Sequence, residues 1–362
     1  MSVSVQGRYE NVDALRAIAA TLVVVQHFFG DIVREAQDPQ GPLAQLVGVS
    51  LNSVDLGRFG VVLFFLISGF VVPFSIRGAH PLRRFAISRF FRLYPALWLA
   101  VLVLAVIFAH RGTPPSVATV LANMTMFPSF LGVPWLSGIY WTLTIELVFY
   151  VLCAMLFWRG VLYMPAMVTI FALLLVGSTA LPILSRTLFG IALPVQYIGL
   201  HVSFLYCGLL LRLAMVEKRE GAWAGAGILA LVQFNVLLAI GDFSLARGDG
   251  FFLLGKLPII AAYILAFTVF ILAVRTGKPS SPLLSQGGAI SYSIYLFHGV
   301  AALLVYSVLP LTGGWSDLWI GLASLALTML LSWSVYTWLE TPMIALGRKV
   351  ASRTGSAAPA TV

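Results

Sequence analysis

Charge is scarce in this sequence. Only 10% of its 362 residues are Asp, Glu, Lys or Arg while 60% are hydrophobic, and no soluble globular domain of this length is built from so few charges. Cysteine is nearly absent: Cys153 and Cys207 both fall inside apolar runs, which excludes a disulfide framework and predicts buried free thiols. His80, His110 and His201 have no polar company in sequence, so no metal-ligand spacing emerges and no metal site is expected. The net charge of +9 would suit nucleic acid, but the basic residues sit between apolar runs and are not interleaved with aromatics on a soluble face, so no nucleic-acid partner is expected. A leader cleavage site is missing as well. Gln26, His27 and two Phe residues follow the first apolar run where small residues would be needed, so that run is expected to stay as a first membrane span.

What is present is a succession of apolar runs of membrane-crossing length. Ten are expected, at roughly 12–30, 58–76, 92–110, 138–158, 161–183, 196–215, 222–241, 253–274, 287–309 and 317–338. The fold class is therefore all-α, a polytopic bundle of about ten transmembrane helices. Segments 42–52 and 116–127 are apolar but too short to span. One integral membrane domain over 1–345 is expected, then a small, polar, disordered tail over 346–362. Because the chain stops after its last span, no soluble domain is expected to be appended. On this topology 16 of the 22 Lys and Arg fall on the N-terminal side, and only Arg34, Arg58, Arg111, Arg186, Arg247 and Lys256 lie opposite. The positive-inside rule then predicts cytoplasmic N- and C-termini. No internal repeat recurs at a fixed period, which weakens an inverted-repeat transporter.

Polar residues inside spans are costly and are functional candidates by default. In the first span, NVDALRAIAATLVVVQHFFG, Arg16 and His27 are eleven residues apart, hence on one helix face and about 16 Å apart along the axis. A snorkelling Arg and a packed His would fit the same pattern. Between spans two and three, five Arg occur from Arg77 to Arg92. Arg89 and Arg92 are spaced i, i+3 on one face, with Tyr94 following, and their guanidinium groups suit the phosphates of a polyanion. Topogenic bias would also place Arg there. Glu146, in GIYWTLTIELVFY after Trp141, is the only carboxylate in the middle of a span. It can orient a nearby imidazole, or merely bond a neighbouring Tyr or Trp. Span nine sets Ser291, Tyr295 and His298 at intervals of four and three, a polar stripe that either glues helices or lines a cavity. Glu340 with Thr341 and Pro342 ends the last span on the arginine side.

Six motifs in order give the chain a recognisable pattern: Arg16 and His27 with ten residues between them, GVVLFFLISGF at 60–70, RFFRLYP at 89–95, WTLTIE at 141–146, ISYSIYLFH at 290–298 and LETP at 339–342. The chain resembles the membrane acyltransferase-3 family of multi-pass O-acyltransferases. The resemblance implies transfer of an acyl group, most often acetyl, from cytoplasmic acyl-CoA as co-substrate to a hydroxyl of a carbohydrate or related acceptor. It casts His27 as catalytic base, and Arg89 and Arg92, with Arg16 and Tyr94, as acyl-CoA-binding residues. Glu146 is expected to steady the His27 imidazolium, and Trp141, Ser291, Tyr295 and His298 to line the cavity. The setting is a cell inner membrane, with no permanently bound cofactor. Direct transfer is the expected mechanism, and an acyl-enzyme through a serine or His27 is the alternative. The rival from another class is a transporter of a small molecule or lipid-linked intermediate, which leaves the crowded arginines unexplained.

Overall fold

A computed structural model describes residues 5–191, 197–247, 255–277 and 281–353. At its centre is the helix Ile198–Met215, with 94% of its length buried among the other helices. Ten helices or helix pairs are long and apolar enough to cross a membrane, and no strand occurs among the described residues. In chain order the helices are α1 (Val5–Glu35), α2 (Pro42–Leu51), α3 (Leu56–Val71), α4 (Pro81–His110), α5 (Val117–Met124), α6 (Trp141–Trp158), α7 (Pro165–Ser178) and α8 (Ala180–Phe189). They continue as α9 (Ile198–Met215), α10 (Ala222–Arg247), α11 (Lys256–Thr276), α12 (Pro282–Ala289), α13 (Ser291–Val308), α14 (Asp317–Val335) and α15 (Thr341–Arg353). The chain is a multi-pass membrane protein. With ten spans among the described residues, the start of α1 and the end of α15 fall on one side, together with the α3–α4, α6–α7, α9–α10 and α11–α12 connections; this side is called the basic end below.

Small residues let the central helices touch. A Cβ on Gly69 of α3 would lie 1.7 Å from the Leu205 carbonyl oxygen of α9, and one on Gly208 of α9 would lie 2.2 Å from that of Leu66. The two glycines thus permit backbone contact from both sides, the packing that drives helix association in lipid. Gly288 of α12 meets the Asp13 carbonyl in the same way, a Cβ there lying 2.0 Å from its oxygen, which fixes the basic end of α1 against α12. Leu102 and Val106 of α4, Leu174 of α7, Leu231 of α10 and Leu330 of α14 are exposed. Backbone groups satisfied within helices and apolar side chains turned outward are what a bilayer requires.

Three boundaries differ from the expected ones. The arginine stretch is not a loop before the third span. α4 begins at Pro81, whose fixed φ and missing N–H suit the first helical turn, so Arg83 through Arg92 ride on the same helix that then enters the membrane. The ninth apolar run divides at Ile290 into α12 and α13. The last span runs on through a π turn, Tyr336–Glu340, into α15, so residues 346–353 are helical instead of part of a disordered tail. α15 packs on α4, where a Cβ on Gly347 would come within 2.7 Å of Phe91 Cβ, and that burial holds the helix. Residues 354–362 lie outside the described residues.

Candidate active site

α1, α3, α4, α6 and α13 enclose a cavity of about 220 Å³ toward the basic end, lined by Arg16, Arg89, Arg92, Glu146, Tyr150, Ser291 and Tyr295 among others. Arg16 is paired with Asp13 one turn before it, at 2.8 Å. Arg89 Nη2 donates to Ser75 Oγ at 3.3 Å, and its guanidinium lies 5.5 Å from the centres of both the Phe85 and Tyr150 rings. Its Nε is buried without a hydrogen-bond partner among the described residues. Arg77, Arg83 and Arg84 are exposed. Glu146 Oε1 accepts hydrogen bonds from Ser68 Oγ at 3.2 Å and from the Tyr150 hydroxyl at 2.5 Å. Three guanidinium groups against two carboxylates, Glu146 in the cavity and Asp13 on Arg16, leave an excess of positive charge in a partly enclosed space, where charge-assisted bonds to phosphate oxygens are strong.

His27 lies in the other half of the bundle, between two further cavities. One, of about 660 Å³, is mostly apolar and has His27, His298, Asp31, Glu35 and Tyr306 among its polar groups, together with the hydroxyls of Ser137, Ser324 and Thr328, and Leu318 and Leu322 in its wall. The other, of about 250 Å³, runs past Gln26, Asp55, Arg58 and Trp141 to Tyr295. The His27 and His298 ring centres are 5.1 Å apart. Asp31 is held by Arg34 at 2.8 Å and by the Tyr306 hydroxyl at 3.3 Å. Tyr295 separates the arginine cavity from the His27 side, since it lines both. Its hydroxyl donates to the Ile139 carbonyl and accepts from Thr142 Oγ1 at 2.6 Å.

The arginine cavity thus gathers Arg16, Arg89, Arg92, Ser291 and Tyr295, and the expected cavity-lining roles of Trp141 and His298 fall on the His27 side. Two residues stand elsewhere than expected. Glu146 belongs to the arginine cavity with Ser68 and Tyr150 as its hydrogen-bond partners, and the neighbour of His27 is His298. The reason is depth: Glu146 is five residues into α6, about 8 Å beyond Trp141, and it is Trp141 that lines a cavity with His27. Tyr94 does not line the arginine cavity. Two residues past Arg92 it has turned about 200° around α4, where its ring stacks on Phe90 and its hydroxyl reaches the Thr125 carbonyl at 3.5 Å.

Several lining residues escaped the sequence reading. Tyr150 is i+4 from Glu146, and Asp31 and Glu35 are i+4 and i+8 from His27, spacings that put each on the face of its partner. Ser68 and Ser75 carried no signal beyond a lone hydroxyl in or beside an apolar run.

Comparison with known proteins identifies the family. The family model described as an acyltransferase domain matches residues 9–337. Nodulation protein 10 of Rhizobium leguminosarum bv. viciae is 25% identical over 394 residues, covering 96% of each chain. No solved structure matches. The arginine and histidine cavities therefore lie within the matched region of an acyltransferase, and the chain belongs to the acyltransferase-3 family of membrane acyltransferases.

Proposed function

We propose that the protein transfers an acyl group, acetyl in the first instance, from acyl-CoA to a hydroxyl of a carbohydrate or related acceptor. The observation that carries this reading is the pairing of a guanidinium-lined cavity with an imidazole-lined one at different depths of the same helices. Arg16 and His27 of α1 are about 16 Å apart, and Ser291 and His298 of α13 about 10 Å. A donor held by its phosphates among Arg16, Arg89 and Arg92 would extend its pantetheine arm past Tyr295 toward His27. The acceptor hydroxyl would arrive from the other side. His27 takes the hydroxyl proton as the oxygen attacks the thioester carbonyl, the carbon–sulfur bond breaks, and the thiolate leaves with that proton as free CoA. The basic end faces the cytoplasm of a cell inner membrane, where acyl-CoA is available, and a reporter fused at the C-terminus should be active only there.

The deciding experiment supplies radiolabelled acetyl-CoA to membrane vesicles containing the protein. Label should pass into envelope carbohydrate in its presence and not in its absence. Thiol release without any labelled acceptor would reject transfer.

A further inference from the structure

His298 is buried to 4% exposure on α13 and lines the large cavity that His27 also lines. Its Nδ1 lies 2.9 Å from the Tyr295 carbonyl oxygen and 3.2 Å from that of Ile294. Carbonyl oxygens only accept, so Nδ1 carries the hydrogen and the neutral ring keeps its lone pair on Nε2. The tautomer is fixed by the backbone of its own helix. Nε2, on the far edge of the ring, points away from that backbone and has no hydrogen-bond partner among the described residues. A buried acceptor without a donor is costly and calls for an explanation. His27 has the complementary deficiency: no hydrogen bond to a described residue fixes which of its nitrogens carries the proton.

The carboxylates nearby do not fill that role. Asp31 is occupied by Arg34 and Tyr306, Glu35 is two helical turns beyond His27, and Glu146 serves Ser68 and Tyr150. The acceptor that stands against the ring without a donor among the described residues is His298 Nε2. With centres 5.1 Å apart, two imidazoles that turn edge to edge bring facing nitrogens to about 3 Å, an ordinary hydrogen-bond distance.

We propose that His298 is the positioning residue of His27, its Nε2 accepting the His27 N–H so that the other His27 nitrogen faces the acceptor hydroxyl as base. This rests on His27 being the base, as proposed above. As the hydroxyl oxygen bonds to the thioester carbon, its proton passes to the free His27 nitrogen. The resulting imidazolium leans its second N–H on His298, whose own Nδ1–H rests on two carbonyls. When the carbon–sulfur bond breaks, the proton taken by His27 goes to the thiolate, and both rings return to neutral. A base oriented by a third group is a recurring arrangement in acyl transfer.

The test compares side chains that keep or lose the accepting atom. His298→Phe keeps a ring without an acceptor, whereas His298→Gln puts a carboxamide oxygen near the place of Nε2. Transfer from radiolabelled acetyl-CoA is measured in vesicles containing the native acceptor, and acetyl-CoA affinity is measured on the purified proteins. His298→Phe should lose about 100-fold in kcat with donor KM unchanged, and His298→Gln should recover to within about tenfold of the parent. Where the Phe protein fails to bind acetyl-CoA, His298→Asn, which reaches the Nδ1 position but not that of Nε2, takes its place and should behave as the Phe protein was expected to. A Phe or Asn variant within threefold of the parent would overturn the proposal, as would a Gln variant as inactive as they are while binding acetyl-CoA normally. His27→Ala in the same series keeps the two readings apart: if it stays active, it is the base assignment that fails.

Discussion

The Tyr295 hydroxyl meets Thr142 Oγ1 at 2.6 Å where the arginine cavity ends and the passage to His27 begins. Two hydroxyl bonds, to Thr142 and to the Ile139 carbonyl, hold the ring between the arginine cavity and the His27 side. Removing the ring should join the two spaces and admit water to the thioester. Tyr295→Ala is therefore expected to raise thiol release from acetyl-CoA without acceptor about fivefold or more relative to transfer, and Tyr295→Phe much less. Equal hydrolysis-to-transfer ratios in parent and Ala proteins would show that Tyr295 is not the partition.

His27 offers a sharper measurement. General-base removal typically costs 10²- to 10⁴-fold, so His27→Ala should abolish transfer to that extent. Because His27 does not line the arginine cavity, acetyl-CoA affinity should stay at the parental value. Transfer within about threefold of the parent would end its assignment as base.

Glu146 separates the arrangement seen in the structure from the one expected from the sequence. Gln at this position keeps an oxygen for the Ser68 and Tyr150 hydroxyls and removes only the charge. Relieved of its counter-charge, the arginine cluster should hold an anionic donor more tightly. A change on the order of 1 kcal/mol, or about fivefold in acetyl-CoA affinity at low salt, is expected, with a smaller effect as salt rises. Were Glu146 instead the support of the His27 imidazolium, Glu146→Gln would leave donor affinity unchanged and depress kcat.

These outcomes mark how far the sequence could be read. Apolar run length reveals the ten spans, because the bilayer imposes it, and helical spacing sets Arg16 and His27 on one face of their helix and Arg89 and Arg92 on one face of theirs. Periodicity along one helix cannot say how deep one helix sits against another. Glu146 is expected from the sequence to steady the His27 imidazolium, yet α6 is set so that Glu146 lies deeper, beside Tyr150 and Ser68. Tyr94 failed for a more avoidable reason: two residues from Arg92 is the wrong angle, which helix geometry already stated. The His298 tautomer was not legible at all, since it depends on which way the ring turns about its own helix.

The arginine cavity provides the most direct test, because orientation bias and polyanion binding make opposite predictions there. Arg89 and Arg92 line the inner cavity, while Arg77, Arg83 and Arg84 remain exposed on the same side of the membrane. The three exposed residues preserve the positive-inside signal when the inner two are lost. Charge-assisted hydrogen bonds contribute about 1.5 to 3 kcal/mol each. Replacing both Arg89 and Arg92 with Gln should therefore weaken acetyl-CoA binding by about 100-fold or more and raise the donor's apparent KM far more than the acceptor's. Membrane insertion, read by a C-terminal topology reporter, should be unchanged. Equal acetyl-CoA affinities for parent and double variant in detergent would reduce these arginines to orientation signals, and the basic cavity would then need another occupant.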